Sequence, residues 1–240
     1  DYVTNNPGTR NYISSITEKG SDNGALQPTR FTYTQEQKGF VRDEELERRL
    51  PGTAFSSDGS DYGTRTIDLN RDGMIDLLQS YSGRQLAQMA YLNSYGGNFR
   101  LQNNYAPEED AAFINHFFQN GIFIYDGGVR VGDYNGDGYP DLIKGFEDED
   151  LEEEYYDIWE NTGNGWRHTN NEFITKFAIL EEDNRGDYEL ANLGVQLIDV
   201  NGDGYDDVVK ALSGYEKIAW LNNNGQWARE NSWIIPGNAY

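Results

Sequence analysis

The stretch Asp133-Tyr134-Asn135-Gly136-Asp137-Gly138-Tyr139-Pro140-Asp141 has two near-copies in the same chain. They are Asp68-Leu69-Asn70-Arg71-Asp72-Gly73-Met74-Ile75-Asp76 and Asp199-Val200-Asn201-Gly202-Asp203-Gly204-Tyr205-Asp206-Asp207. Each places Asp or Asn at loop positions 1, 3, 5 and 9 and Gly at position 6. The first residues lie 65 and then 66 positions apart. A polar turn recurring at the length of a supersecondary unit implies a repeat architecture.

Alternating Asp and Asn on a tight turn converge their oxygens, and the backbone carbonyl at position 7 adds another. Such a set suits Ca²⁺, a hard cation that takes six to eight oxygens, and not Zn²⁺, which prefers nitrogen and sulfur. The expected ligands are Asp68, Asn70, Asp72, Met74 and Asp76; Asp133, Asn135, Asp137, Tyr139 and Asp141; and Asp199, Asn201, Asp203, Tyr205 and Asp207. Met and Tyr contribute their carbonyls. About three Ca²⁺ are expected, one per repeat. An EF-hand needs a bidentate Glu at position 12, whereas that position holds Gln79, Lys144 and Lys210. The competing reading is a metal-free Asp/Asn/Gly hairpin turn.

Similarity extends beyond the loops. Gly63, Gly128 and Gly194 each stand five positions before a loop. Short apolar strands flank it, and a third strand ends in an aromatic and an Asn: Ala90-Tyr91-Leu92-Asn93, Ile158-Trp159-Glu160-Asn161 and Ala219-Trp220-Leu221-Asn222. A Gly-containing turn and an aromatic, Phe99, Trp166 or Trp227, open a fourth. The reading is an all-β chain of tandem four-stranded antiparallel blades, β-propeller-like and incomplete or open. The boundaries are 1–52 for an N-terminal β segment with a short helix at 43–50, then repeats at 53–117, 118–183 and 184–240. Segments 105–121 and 172–193 read as links between blades. The Trp residues read as packing between sheets.

The stretch from Gly128 to Ile143 resembles the FG-GAP/VCBS repeat of integrin-type β-propellers. With Ile158-Trp159-Glu160-Asn161-Thr162-Gly163-Asn164-Gly165-Trp166 added, it is similar to propeller repeats of RHS-associated and toxin-complex B-component proteins. The N-terminal segments 13–22 and 26–34 are similar to what precedes such repeats. The resemblance implies a calcium-binding propeller. Arg71 departs from the Gly at loop position 4, which implies a weaker first site.

The net charge of −22 opposes nucleic-acid binding, and no apolar run is long enough for a spanning helix. The run from Glu147 to Glu154 reads as a solvated, mobile loop. Cysteine is absent, so metal rather than disulfides would staple the fold, and millimolar external calcium points to an extracellular setting. His116 and His168 form no recognisable catalytic constellation, and no enzymatic activity is expected. The expected function is a secreted, calcium-stabilised structural and interaction module that joins further copies of itself head to tail into a filament. Edge pairing near residues 31–34 and 233–236 would support it. Alternatives are the propeller part of a larger toxin-complex-like shell, or a lectin whose Trp and Tyr pockets take glycans.

Overall fold

The computed structural model describes residues 2–3, 12–19, 21, 24, 27–32, 41–57, 59–83, 86–117, 123–171, 173–183, 185, 187–215 and 217–230. Residues 33–34 and 233–236, expected as pairing edges, lie outside the described residues. The chain divides into two compact units, 1–43 and 44–240. In the first, β1 (Tyr2–Val3) pairs with β2 (Tyr12–Ile13), and β3 (Ser15–Ile16) with β4 (Thr29–Arg30), both antiparallel.

The second unit opens with a one-turn helix, α1 (Glu44–Glu47), shorter than the eight residues expected. A hairpin, β5 (Ser56–Ser57) and β6 (Ser60–Asp61), leads into β7 (Thr64–Ile67), the first loop, β8 (Asp76–Ser82), β9 (Ala87–Leu92) and β10 (Arg100–Leu101). Two 3₁₀ turns follow, η1 (Asn103–Tyr105) and η2 (Glu109–Ala111), then a hairpin of β11 (Ile114–Phe117) and β12 (Phe123–Asp126). The second repeat holds β13 (Val129–Gly132), its loop, β14 (Asp141–Lys144), β15 (Phe146–Asp148), β16 (Glu153–Tyr155), β17 (Ile158–Asn161) and β18 (Trp166–His168). The hairpin β19 (Ala178–Glu182) and β20 (Tyr188–Asn192) leads to the third: β21 (Val195–Ile198), its loop, β22 (Asp207–Lys210), β23 (Ile218–Asn223) and β24 (Gln226–Glu230).

Apart from the separate β5–β6 hairpin, these strands form four small sheets laid out as blades of a propeller that does not close. Their orders are β10-β9-β8-β11-β12 with β7 also on β8, β13-β14-β17-β18, β16-β15-β19-β20 and β21-β22-β23-β24. Three loops thus accompany four sheets, and Gly145 is the reason. In the first repeat β8 is one seven-residue strand that serves both β7 and β11. In the second, the corresponding path breaks at Gly145, where the Thr175 carbonyl approaches too closely for any side chain. The near half, β14, pairs with β13, and the far half, β15, joins a separate sheet.

Two expectations need correction. Segments 105–121 and 172–193 are not plain links, because they contain β11, β19 and β20, and β11 and β19 pair in parallel with β8 and β15. Their strand signal is short and interrupted by polar residues. The acidic run is not an unstructured loop. It is the β15–β16 hairpin, with Glu147 opposite Glu154 and Asp148 opposite Glu153. Like charges facing each other across a sheet repel. The Lys176 ammonium answers this by pairing with both Glu147 and Glu154.

Apolar burial concentrates at the joints between repeats. One cluster combines Leu69, Leu78 and Ala90 of the first repeat with Leu142 and Trp159 of the second. Another combines Tyr134, Ile143 and Ile158 with Val195 and Val208 of the third, and adds Phe173 and Phe177. Neither repeat buries these faces alone, which makes the stability that of neighbouring units. Each fully buried Leu or Ile contributes roughly 1.5–3 kcal/mol.

Candidate metal centre

All three loops carry the same hydrogen-bond mesh. The position-6 glycine amide donates to the position-1 carboxylate: Gly73 to Asp68 at 2.9 Å, Gly138 to Asp133 at 2.7 Å, Gly204 to Asp199 at 3.0 Å. The position-5 amide donates to the Asn oxygen at position 3, over 3.0, 2.9 and 2.8 Å. The position-7 amide donates to the position-5 carboxylate, over 2.9, 2.8 and 3.0 Å. The turn requires left-handed backbone at positions 4 and 6. Gly73, Gly138 and Gly204 have φ of 82°, 82° and 94°, while position 4 is Gly136 (72°), Gly202 (79°) and Arg71 (61°). A non-glycine residue there costs about 1–2 kcal/mol.

The position-9 carboxylates are different, because Asp76, Asp141 and Asp207 are completely buried. Each accepts two backbone amides. Leu69 (2.9 Å) and Asn93 (2.7 Å) donate to Asp76. Tyr134 (3.0 Å) and Asn161 (2.7 Å) donate to Asp141. Val200 (3.1 Å) and Asn222 (2.8 Å) donate to Asp207. Burial nevertheless pushes Asp76 up to about 6 and Asp141 to about 7, and raises Asp207. Repulsion from Asp68 and Asp72 adds to this at Asp76, and from Asp133 and Asp137 at Asp141. At Asp199 burial pushes upward too, but the amides of Gly202 and Gly204 outweigh it and lower the carboxyl.

Among the described residues, no three acidic or histidine side chains are gathered tightly enough to grip an ion as they stand. The carboxylates face loop amides instead. An ionised carboxylate offers about four lone-pair positions, so the one to three amides that each accepts leave room for a cation. The donor chemistry therefore fits a hard divalent ion, and the mutual repulsion within each loop is what such an ion would relieve.

The loops are joined in series. Asn161 Nδ2 donates 2.8 Å to the Leu69 carbonyl, and Asn222 Nδ2 donates 2.7 Å to the Tyr134 carbonyl. Both contacts are buried. Since Leu69 and Tyr134 also donate to Asp76 and Asp141, a continuous hydrogen-bonded path runs from Asp76 through Asp141 to Asp207. Outside it, Asp206 holds the Asp133 backbone at both ends, its amide to the carbonyl and its carboxylate to the amide, each at 2.8 Å. A Cβ on Gly136 would sit 2.7 Å from the Tyr205 ring. On the other side, Arg71 donates to the Asp137 carbonyl and lies 5.1 Å over the Tyr139 ring. Asp68, Arg71, Asp133 and Asp206 line a cleft of about 490 Å³ where the loops meet.

The bridging roles of Asn161, Asn222, Asp206 and Arg71 are not deducible from the loop pattern. The recurrence of Asn after the third-strand aromatic is the one trace the sequence carries. Gln79 and Lys144, at the position an EF-hand would fill with Glu, are used structurally. Gln79 donates to the Tyr62 carbonyl at 3.0 Å and Lys144 to that of Asp110 at 2.8 Å. Both histidines have partners: His116 Nδ1 is 2.5 Å from Tyr81 Oη, and His168 stacks on Trp159. Trp159 is buried, and Trp166, Trp220 and Trp227 pack against the core clusters. No family model, curated protein or solved structure matches the chain.

Proposed function

We propose that this chain is a calcium-stabilised structural and interaction module of the FG-GAP/VCBS type that works outside the cell. The observation that carries this reading is the threefold recurrence of one oxygen-rich loop with one amide mesh, each copy closed by a buried carboxylate. Asp68, Asn70, Asp72 and Asp76, with the Met74 carbonyl, would hold the first ion. Asp133, Asn135, Asp137 and Asp141, with the Tyr139 carbonyl, would hold the second. Asp199, Asn201, Asp203 and Asp207, with the Tyr205 carbonyl, would hold the third. Bound calcium supplies positive charge that offsets the crowding of carboxylates in a chain of net charge −22. Because the loops sit at the joints, holding each loop rigid holds neighbouring repeats in register. The role is architectural: a platform whose repeats join further copies of the chain.

Thermal unfolding in chelator and in millimolar calcium tests this. Binding confined to the folded state should add about 1–3 kcal/mol per site at 10–100 times the dissociation constant, several degrees for a unit of this size. Identical melting under both conditions would remove calcium from the reading. A second reading, a portion of a larger toxin-complex-like shell, is favoured by the loop face of the third repeat, which is uncovered among the described residues and onto which a further repeat could continue.

A further inference from the structure

Within the chain, one joint is made twice by the same parts. The later repeat supplies a third-strand Asn, whose side chain enters the preceding loop, and its position-7 and position-8 residues, which cover that loop. The earlier repeat supplies the position-2 carbonyl, the residue just before position 1, and position 4. Where the joint is made, the position-2 residue and the residue just before position 1 are buried. Leu69 and Tyr134 are 0% and 2% exposed and Ile67 is 9% exposed, while Gly132 is closed over by Leu197 and Asp206. Position 4 stays exposed there but is approached by a ring of the later repeat, Tyr205 at Gly136 and Tyr139 at Arg71.

Each end of the array presents half of this joint. On the third repeat, Val200 is half-buried, and its carbonyl takes no side-chain amide among the described residues. Ile198, the counterpart of Ile67, is 51% exposed, and a Cβ on Gly202 would meet nothing within 4 Å among the described residues. On the first repeat, Asn93 donates 3.2 Å to the Ile75 carbonyl. That matches the bond of Asn222 to its own position-8 carbonyl, at Asp206. Asn222 spends its other amide hydrogen on the preceding loop; the corresponding hydrogen of Asn93 has no acceptor among the described residues. Beside it, Ile75 is 53% exposed and Tyr95 93% exposed. The neighbouring turn is already seated. Arg49 donates to the Gly96 carbonyl and Leu46 closes over Gly97, much as Tyr105 and Asn104 hold Gly163 and Asn164 in the second repeat.

We infer that a second copy of this chain docks head to tail, seating Asn93, Met74 and Ile75 of one copy on Val200, Ile198 and Gly202 of the other. The Asn93 amide would donate to the Val200 carbonyl, and Ile75 would pack on Ile198. The contact is heterologous, using different patches on the two copies, so it either closes a ring or extends an array. It rests on the reading of the chain as an interaction module and names the surfaces involved. The apolar centre suits chains of high like charge, because it requires no charge pairing and physiological salt screens the remainder.

Sedimentation velocity over a range of protein concentrations, in physiological salt with millimolar calcium, tests the contact. Mass should rise above that of one chain with concentration, whether to a closed pair or to longer arrays. Ile198→Asp and Ile75→Asp alter exposed side chains and should each leave the fold, followed by circular dichroism, intact. Each alone should abolish assembly at least tenfold beyond the wild-type midpoint. Mixed together they should form pairs that grow no further, since one intact half of the joint remains on each. A wild-type chain that stays single while calcium raises its melting temperature would overturn the docking and leave the calcium reading in place. Variants that assemble as the wild type does would overturn it equally.

Discussion

The side-chain amide of Asn161 donates 2.8 Å to the carbonyl of Leu69, 92 residues earlier in the chain. At the same residue the backbone amide donates 2.7 Å to the buried carboxylate of Asp141. One residue therefore closes its own loop and locks the loop before it. Asn222 repeats both bonds toward Asp207 and Tyr134.

Asn161→Ala keeps the backbone amide and removes the lock, together with the turn bond that Asn161 Oδ1 accepts from the Gly163 amide. It strands the carbonyl of a fully buried residue, which costs about 1–3 kcal/mol. Asn222→Ala should cost a similar amount. Asn93→Ala should cost less, under about 1 kcal/mol, because Asn93 reaches only its own loop. Urea titrations of the three variants measure this; equal losses would mean that the bond between repeats contributes nothing.

The buried aspartates set the pH dependence. Asp76 and Asp141 rise from an ordinary 3.8 to about 6 and about 7. Between pH 4 and 7 the folded chain therefore holds protons that the unfolded chain has released. Their contribution to stability is full below about 4 and is lost as pH rises through 6 to 7. Chelated protein should accordingly lose stability across that window. Calcium requires ionised carboxylates, so the melting shift it produces should be larger at pH 7.5 than at pH 5. An equal shift at both values would separate these aspartates from the ion.

Arg71 tests strain against bridging. Arg71→Ala keeps the left-handed backbone and loses the contacts to Asp137 and Tyr139. Arg71→Gly loses the same contacts but relaxes the backbone. The Gly variant should be the more stable by about 1 kcal/mol. Chemical denaturation of both measures the difference, and a more stable Ala variant would contradict the strain.

Within the calcium reading, the Arg71 loop should bind less well than the second. Asp137→Ala should shrink the calcium-dependent melting shift more than Asp72→Ala. Calorimetric titration of both variants checks this, and the reverse order would assign the stronger site to the first loop.

The strands flanking the loops were legible because their signals are local. Thr64–Ile67, Val129–Gly132 and Val195–Ile198 lie where the spacing puts them. The hairpins β11–β12 and β19–β20 were not, since their strands are short and gain definition only by pairing with β8 and β15. The acidic run misled for a related reason. Its charge alone reads as solvated chain, and the ammonium that tempers it comes from Lys176, some twenty residues on.

The sequence by itself determined the period, the loop chemistry and the all-β class, because ligand spacing, turn glycines and alternation are properties of adjacent residues. Only the tertiary structure decided that the loops form one connected series, and that Arg71 and Asp206 reach across to the second loop. It also decided that Gly145 divides a strand between two sheets. Those outcomes depend on which carbonyl or ring lies opposite a residue after packing, and residues 30 to 92 positions apart carry no local mark of that meeting.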